Sequence, residues 1–194
     1  MYDEGHLWYV RTEGVGLRQR LENLSQEKLL TFAVGCVTHA KDVLLASVEK
    51  NSDKEYLSSA RLLDAFWKGY PQSLAGDCLN SLMDEAEQVV TQELGSEPDQ
   101  RFLTAPGAEP LLWATLYALS LSRSSNPVTA GYDAVDKAYF AVFIRFGKPD
   151  GRFDASQMHI IESKTTECLQ EIEFQLYFLK TIEEAETVPC PSQK

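Results

Sequence analysis

Pro110-Leu111-Leu112-Trp113-Ala114-Thr115-Leu116-Tyr117-Ala118-Leu119-Ser120-Leu121, wound as a helix, is apolar nearly all the way round, and its reading decides the fold. A helix with apolar side chains in every direction needs other elements on every side, so it belongs at the centre of a bundle. Pro110 suits the first turn, where its missing N–H costs nothing. The flanking segments repeat apolar residues every three or four positions and do not alternate strictly. The expectation is therefore an all-α, single-domain bundle of six to seven helices around a central apolar helix.

Outward from that stretch, the same signals recur. Asn126 before Pro127 starts a helix striped by Val128, Tyr132, Val135, Tyr139, Val142 and Phe146. Asp154 and Gln157 form a capping box for a last helix carrying Ile161, Cys168, Ile172, Leu176, Leu179 and Ile182 in near-heptad spacing. On the N-terminal side, Ser25 caps a helix with Leu29, Phe32, Cys36, Ala40 and Val43 on one face. The turn Asn51-Ser52-Asp53 leads into Tyr56, Ala60, Leu63, Trp67 and Tyr70. Residues 73–94 place Leu74, Cys78, Leu82, Ala86 and Val89 or Val90 on a stripe, and Gly95 caps it. A short first helix covers 15–23. Residues 1–14 read as an N-terminal arm whose Trp8 and Tyr9 either dock on the bundle or mark a contact surface. Residues 15–186 form the helical domain and 187–194 a disordered tail. The Gly- and Pro-containing stretch 95–108 is the longest loop and the best candidate for a functional one.

The chain has 194 residues, 44% of them hydrophobic, enough for a core without disulfides or metal. Cys36, Cys78 and Cys168 sit among apolar residues and read as reduced core positions, and Cys190 lies in the tail. The opening Met-Tyr-Asp-Glu-Gly has no basic segment followed by an apolar run, so the expected location is cytoplasmic. The longest apolar stretch, 111–121, is shorter than a membrane span.

A net charge of −11 argues against nucleic acid, whose phosphates require clustered Lys and Arg. The charge is local. Residues 69–100 contain Asp77, Asp84, Glu85, Glu87, Glu93, Glu97 and Asp99 and no Lys or Arg. Residues 162–186 contain Glu162, Glu167, Glu171, Glu173, Glu183, Glu184 and Glu186 against Lys164 and Lys180. Acids on exposed helix faces serve solvation, but mixed signs would solubilise equally well without self-repulsion. Asp77, Asp84, Glu85, Glu87, Glu93, Glu97 and Asp99 are therefore the candidate partner-binding residues, offered to a basic protein.

No catalytic or metal constellation stands out. His6, His39 and His159 have no nucleophile motif beside them. His39 with Asp42 and His159 with Glu162 are spaced for one helical face, but the order is the reverse of the Glu-x-x-His of di-metal bundles, and both pairs read as surface residues. Gly14-Val15-Gly16 and Gly147-Lys148-Pro149-Asp150-Gly151 read as turns, not phosphate loops. The aromatic residues from Phe66 to Phe146 read as core packing more readily than as a ligand pocket. No cofactor is expected.

Leu17-Arg18-Gln19-Arg20-Leu21-Glu22-Asn23-Leu24, Thr31-Phe32-Ala33 through Cys36, and Ala60-Arg61-Leu62-Leu63-Asp64-Ala65-Phe66-Trp67 together resemble the opening of the YjaG-like family of all-helical bacterial proteins. The likeness continues through Pro110–Ala114 and the helix after Asn126. It implies a bacterial, cytosolic, non-catalytic protein and carries over no site residues. Similar helical domains occur among immunity proteins encoded beside secreted antibacterial toxins. The expected function is therefore an immunity protein that neutralises a cognate, basic toxin by stoichiometric contact. The alternative is a scaffold or adaptor that docks a partner helix or pairs as a homodimer through the last helix. An enzyme acting on a small ligand between helices ranks below both.

Overall fold

The computed structural model describes residues 7–47, 56–74, 76–94, 105–147 and 157–186. They fold as one all-helical body. Its α-helices are α1 (Leu7–Gly14), α2 (Leu17–Glu22), α3 (Gln26–Ala46), α4 (Leu57–Lys68), α5 (Gly76–Leu94), α6 (Ala108–Leu119), α7 (Pro127–Val142), α8 (Met158–Lys164) and α9 (Thr166–Glu184). Short 3₁₀ turns follow α4 and α6, and a π turn, Phe143–Gly147, ends α7. No strand occurs among the described residues. Asn51-Ser52-Asp53, Asp154, Gly95 with loop residues 95–104, His6, Cys190 and the tail lie outside the described set.

Among the described residues there are nine α-helices where six or seven were expected, for two reasons. Residues 7–14, read as an arm, wind into α1, which docks by burying Leu7 and Trp8. The expected last helix breaks at Thr165, whose backbone is extended (ψ 110°) and whose hydroxyl donates to the Ile161 carbonyl. In an unbroken helix, Glu162 and Cys168 would point about 120° apart. The break lets both face inward.

The centre of the bundle is α3. Leu29, Leu30, Phe32, Ala33, Val34, Cys36, Val37, Ala40 and Leu44 are all buried on it, and it packs against α4, α6, α7 and α9. Ser25 Oγ accepts from the Lys28 amide at 3.3 Å, the cap its sequence announced. By length and composition alone α3 could cross a bilayer. Within the protein, 67% of that apolar window is buried, so the fold uses the helix as its core. Gly35 is required where α9 crosses α3: a Cβ there would lie 2.2 Å from the Phe178 ring.

The stretch 110–121 forms α6, which packs on α7, α3, α5 and α4, but its apolar surface is not enclosed on every side. Trp113, Leu116 and Tyr117 are only half-buried: Trp113 and Tyr117 border open hollows, and Leu116 lies against Val89, Val90 and Leu112. Gly107 starts α6 at φ +93°, and a Cβ there would meet the Ala141 carbonyl at 2.4 Å, so glycine alone fits both the conformation and the approach to α7. Asn126 caps α7 through its side chain, accepting from Thr129 N at 3.1 Å. On α9, Ile172 is fully buried, so the near-heptad stripe packs against α3 and α7 of the same chain.

Candidate functional site

The acidic helix α5 buries Leu79, Leu82, Met83, Ala86, Val89 and Val90. Leu82, Ala86, Val89 and Val90 are the expected stripe, but Cys78 is exposed, not core, and Leu79 and Met83 join the buried face. The reason is visible in the sequence: Leu79 and Met83, each next to an expected stripe position, bring more apolar area than Cys78 and pull the face round. The opposite face carries Asp77, Asp84 and Glu87 exposed, with Glu85 and Glu93 half-buried at its edges.

Two of these acids are matched within the chain. Arg123 Nη1 donates to Asp84 Oδ1 at 2.7 Å, and Arg61 Nη2 lies 2.8 Å from Glu85 Oε1. Ser58 donates its hydroxyl to Glu93. Among the described residues, Asp77 and Glu87 close no ion pair. The structure thus brings Asp77, Asp84, Glu85, Glu87 and Glu93 onto one helix, while Glu97 and Asp99 lie outside the described residues.

The second acidic segment behaves differently. Glu162 and Glu171, read from sequence as surface acids, are both fully buried. Glu162 accepts from the Leu7 amide at 2.7 Å through Oε2 and from the Tyr139 hydroxyl at 2.6 Å through Oε1. Glu171 accepts from Gln175 Nε2 at 2.9 Å, and its other oxygen lies 2.6 Å from His39 Nδ1. Gln175 in turn accepts from Trp8 Nε1 at 2.7 Å and donates to the Val135 carbonyl. Two buried carboxylates therefore tie α1, α3, α7, α8 and α9 together.

The pairs His39 with Asp42 and His159 with Glu162 do not form. His39 turns to Glu171 and stacks on Phe174 at 3.7 Å between ring centres, while Asp42 takes Lys41. His159 is exposed, whereas Glu162 faces the core. Among the described residues no group of three or more His, Cys, Asp or Glu side chains gathers as metal ligands. Burial pushes the Cys168 thiol up to about 12 and raises that of Cys36 well above its ordinary value, so both are held as unreactive thiols near neutral pH. Desolvation likewise raises the Tyr139 hydroxyl, which donates and does not ionise.

A cleft of about 370 Å³ opens between α1, α2, α6 and α7, lined by Trp8, Tyr9, Arg18, Tyr117, Tyr132, Asp133, Asp136 and Lys137. Beside it, a second depression shares Tyr117 and Lys137 and adds Trp113 and Phe140. Of the aromatics read as core, Phe66, Tyr139 and Phe143 are fully buried. Tyr132 is buried in the core and also lines the cleft, whereas Trp113, Tyr117 and Phe140 are half-buried and border these hollows. Trp8 forms the inner wall, edge-on to Tyr132 at 5.4 Å and stacked with Tyr139 at 6.1 Å. The Arg18 guanidinium lies over the Tyr132 ring at 4.8 Å from its centre. The cleft's residues come from four separate stretches with no motif in any of them. The one clue was Trp8 and Tyr9, aromatic residues in a segment read as an N-terminal arm.

No family model, curated protein or solved structure matches the chain.

Proposed function

We propose that the chain is a non-catalytic immunity-type protein that neutralises a basic protein, such as a cognate antibacterial toxin, by stoichiometric contact through α5. The observation that carries this reading is the outer face of that helix. It exposes Asp77, Asp84 and Glu87, and no Lys or Arg lies between residues 69 and 100 to offset them. A one-signed face of this kind accelerates encounter with a basic partner and gives binding that weakens with salt.

The internal ion pairs of α5 leave that face available. The Arg123 and Arg61 side chains are 41% and 63% exposed, so their pairs with Asp84 and Glu85 are worth little and can be exchanged for a partner's cations. The resemblance of segments 17–24, 31–36 and 60–67 to the YjaG-like family points the same way, toward a bacterial protein without chemistry of its own. The buried, protonated thiols of Cys36 and Cys168 are consistent with that.

The test is the product of the neighbouring reading frame. Cells producing it should survive when the wild-type chain is co-expressed and die when Asp84, Glu85 and Glu87 are all replaced by Lys. With purified proteins the same variant should bind about tenfold or more weakly, with a flatter salt dependence. Unchanged affinity and salt response in the reversed variant would remove α5 as the contact surface.

A further inference from the structure

The cleft between α1, α2, α6 and α7 is lined by two opposite charges, Asp133 and Arg18, that close no short ion pair with each other. Asp133 is half-buried in the cleft wall and, among the described residues, makes no hydrogen bond or ion pair. Arg18 is exposed, lies over the Tyr132 ring and, among the described residues, closes no ion pair. The two attract each other at longer range, with the cavity between them. Desolvation outweighs the opposing pull of Arg18 and Lys137 and raises the Asp133 carboxyl above its ordinary range, and a cation placed in the cavity would offset it.

The rest of the lining is aromatic. Trp8 gives its indole N–H to Gln175, and Tyr132 gives its hydroxyl to Glu13. Their polar atoms are thus committed elsewhere, and Trp8, almost wholly buried, backs the Tyr132 ring that lines the cavity. Tyr9 and Tyr117 complete the rim. A volume of about 370 Å³ suits a small molecule.

We propose that this cleft binds an aromatic zwitterion of the α-amino-acid class. The carboxylate lies against the Arg18 guanidinium, the ammonium takes the Asp133 carboxylate, and the ring packs against Tyr9, Tyr117 and the part of Tyr132 that lines the cleft. An anionic ligand alone would strand Asp133, and a cationic one alone would strand Arg18. A ligand carrying both signs, spaced by a short aliphatic link from an aromatic ring, satisfies the whole lining. This inference is independent of the acidic face of α5.

The test is calorimetric titration of the purified chain with L-phenylalanine, L-tyrosine and L-tryptophan. Phenethylamine (no carboxylate), 3-phenylpropionate (no ammonium) and L-alanine (no ring) are run beside them. At least one aromatic amino acid is expected to give saturable binding, with each of the three truncated analogues about tenfold or more weaker. Arg18→Ala should weaken the amino acid while leaving phenethylamine unchanged. Asp133→Asn should weaken it while leaving 3-phenylpropionate unchanged. Both side chains lie outside the core, and circular dichroism of each variant checks that the fold is retained. Absence of saturable binding by all three amino acids at about 10 mM overturns the proposal. Equal binding of the truncated analogues, or indifference of the amino acid to both substitutions, overturns it equally.

Discussion

Two segments of this chain are acidic to a similar degree, and the fold uses them in opposite ways. On α5, Asp77, Asp84 and Glu87 stand in solvent. On α8 and α9, Glu162 and Glu171 are sealed inside, each held by two hydrogen-bonding groups. The difference shows that a carboxylate's role is set by the donors that reach it. Glu162 has the amide of Leu7 and the hydroxyl of Tyr139 inside the core, whereas on the outer face of α5 the donor that reaches Asp84 is the solvent-exposed Arg123. An exposed acid contributes to the long-range field, whereas a buried one acts as a structural acceptor whose charge would be costly if any donor were lost.

The sharpest way to break the comparison is Glu162→Ala. It leaves the Leu7 amide and the Tyr139 hydroxyl without their acceptor inside the core, and should cost about 3 kcal/mol in urea-induced unfolding. A loss below about 1 kcal/mol would mean that α1 detaches and hydrates its amide freely.

An intermediate case comes next. Glu183, at the C-terminal end of α9, takes Arg20 of α2 in a two-pronged pair at 2.7 and 2.5 Å, with both side chains about one third exposed. The Arg20 hydrogen bond holds the Glu183 carboxyl below its ordinary value. A carboxyl whose pKa is lowered by folding stabilises the protein above its unfolded pKa, and that contribution fades as the pH falls through the folded one. Arg20→Gln should therefore cost about 0.5 kcal/mol at neutral pH, with the two stability curves converging in acid. A gap that persists at low pH would assign the effect to packing of the arginine stem instead.

The smallest effect is expected on α5. Replacing Asp77 and Glu87 by Asn and Gln should change stability by no more than about 0.5 kcal/mol. A large loss there would show that the face is structural, and the comparison with α8 and α9 would collapse.

The fold was legible wherever short-range patterns decide. The Ser25 and Asn126 caps, and the stripe Leu29, Phe32, Cys36 and Ala40, needed only residues three or four apart. What sequence reading missed depends on distant partners. Glu162 looks like any other acid until Leu7, 155 residues away, is placed against it. Reading Cys78 as core weights a cysteine like its larger neighbour Leu79, which takes the buried position instead. The cleft escaped for the same reason as Glu162, since Trp8, Arg18, Tyr117 and Asp133 meet only in three dimensions.

Helix α1 belongs to two of these features at once. Its first amide satisfies Glu162, and its Trp8 and Tyr9 wall the cleft. Occupancy of the cleft and attachment of α1 are therefore thermodynamically linked: whatever fills the cavity leans on Trp8 and raises the free energy of peeling the helix away. The same linkage runs in reverse, so release of α1 empties the cleft and exposes a buried carboxylate in a single event.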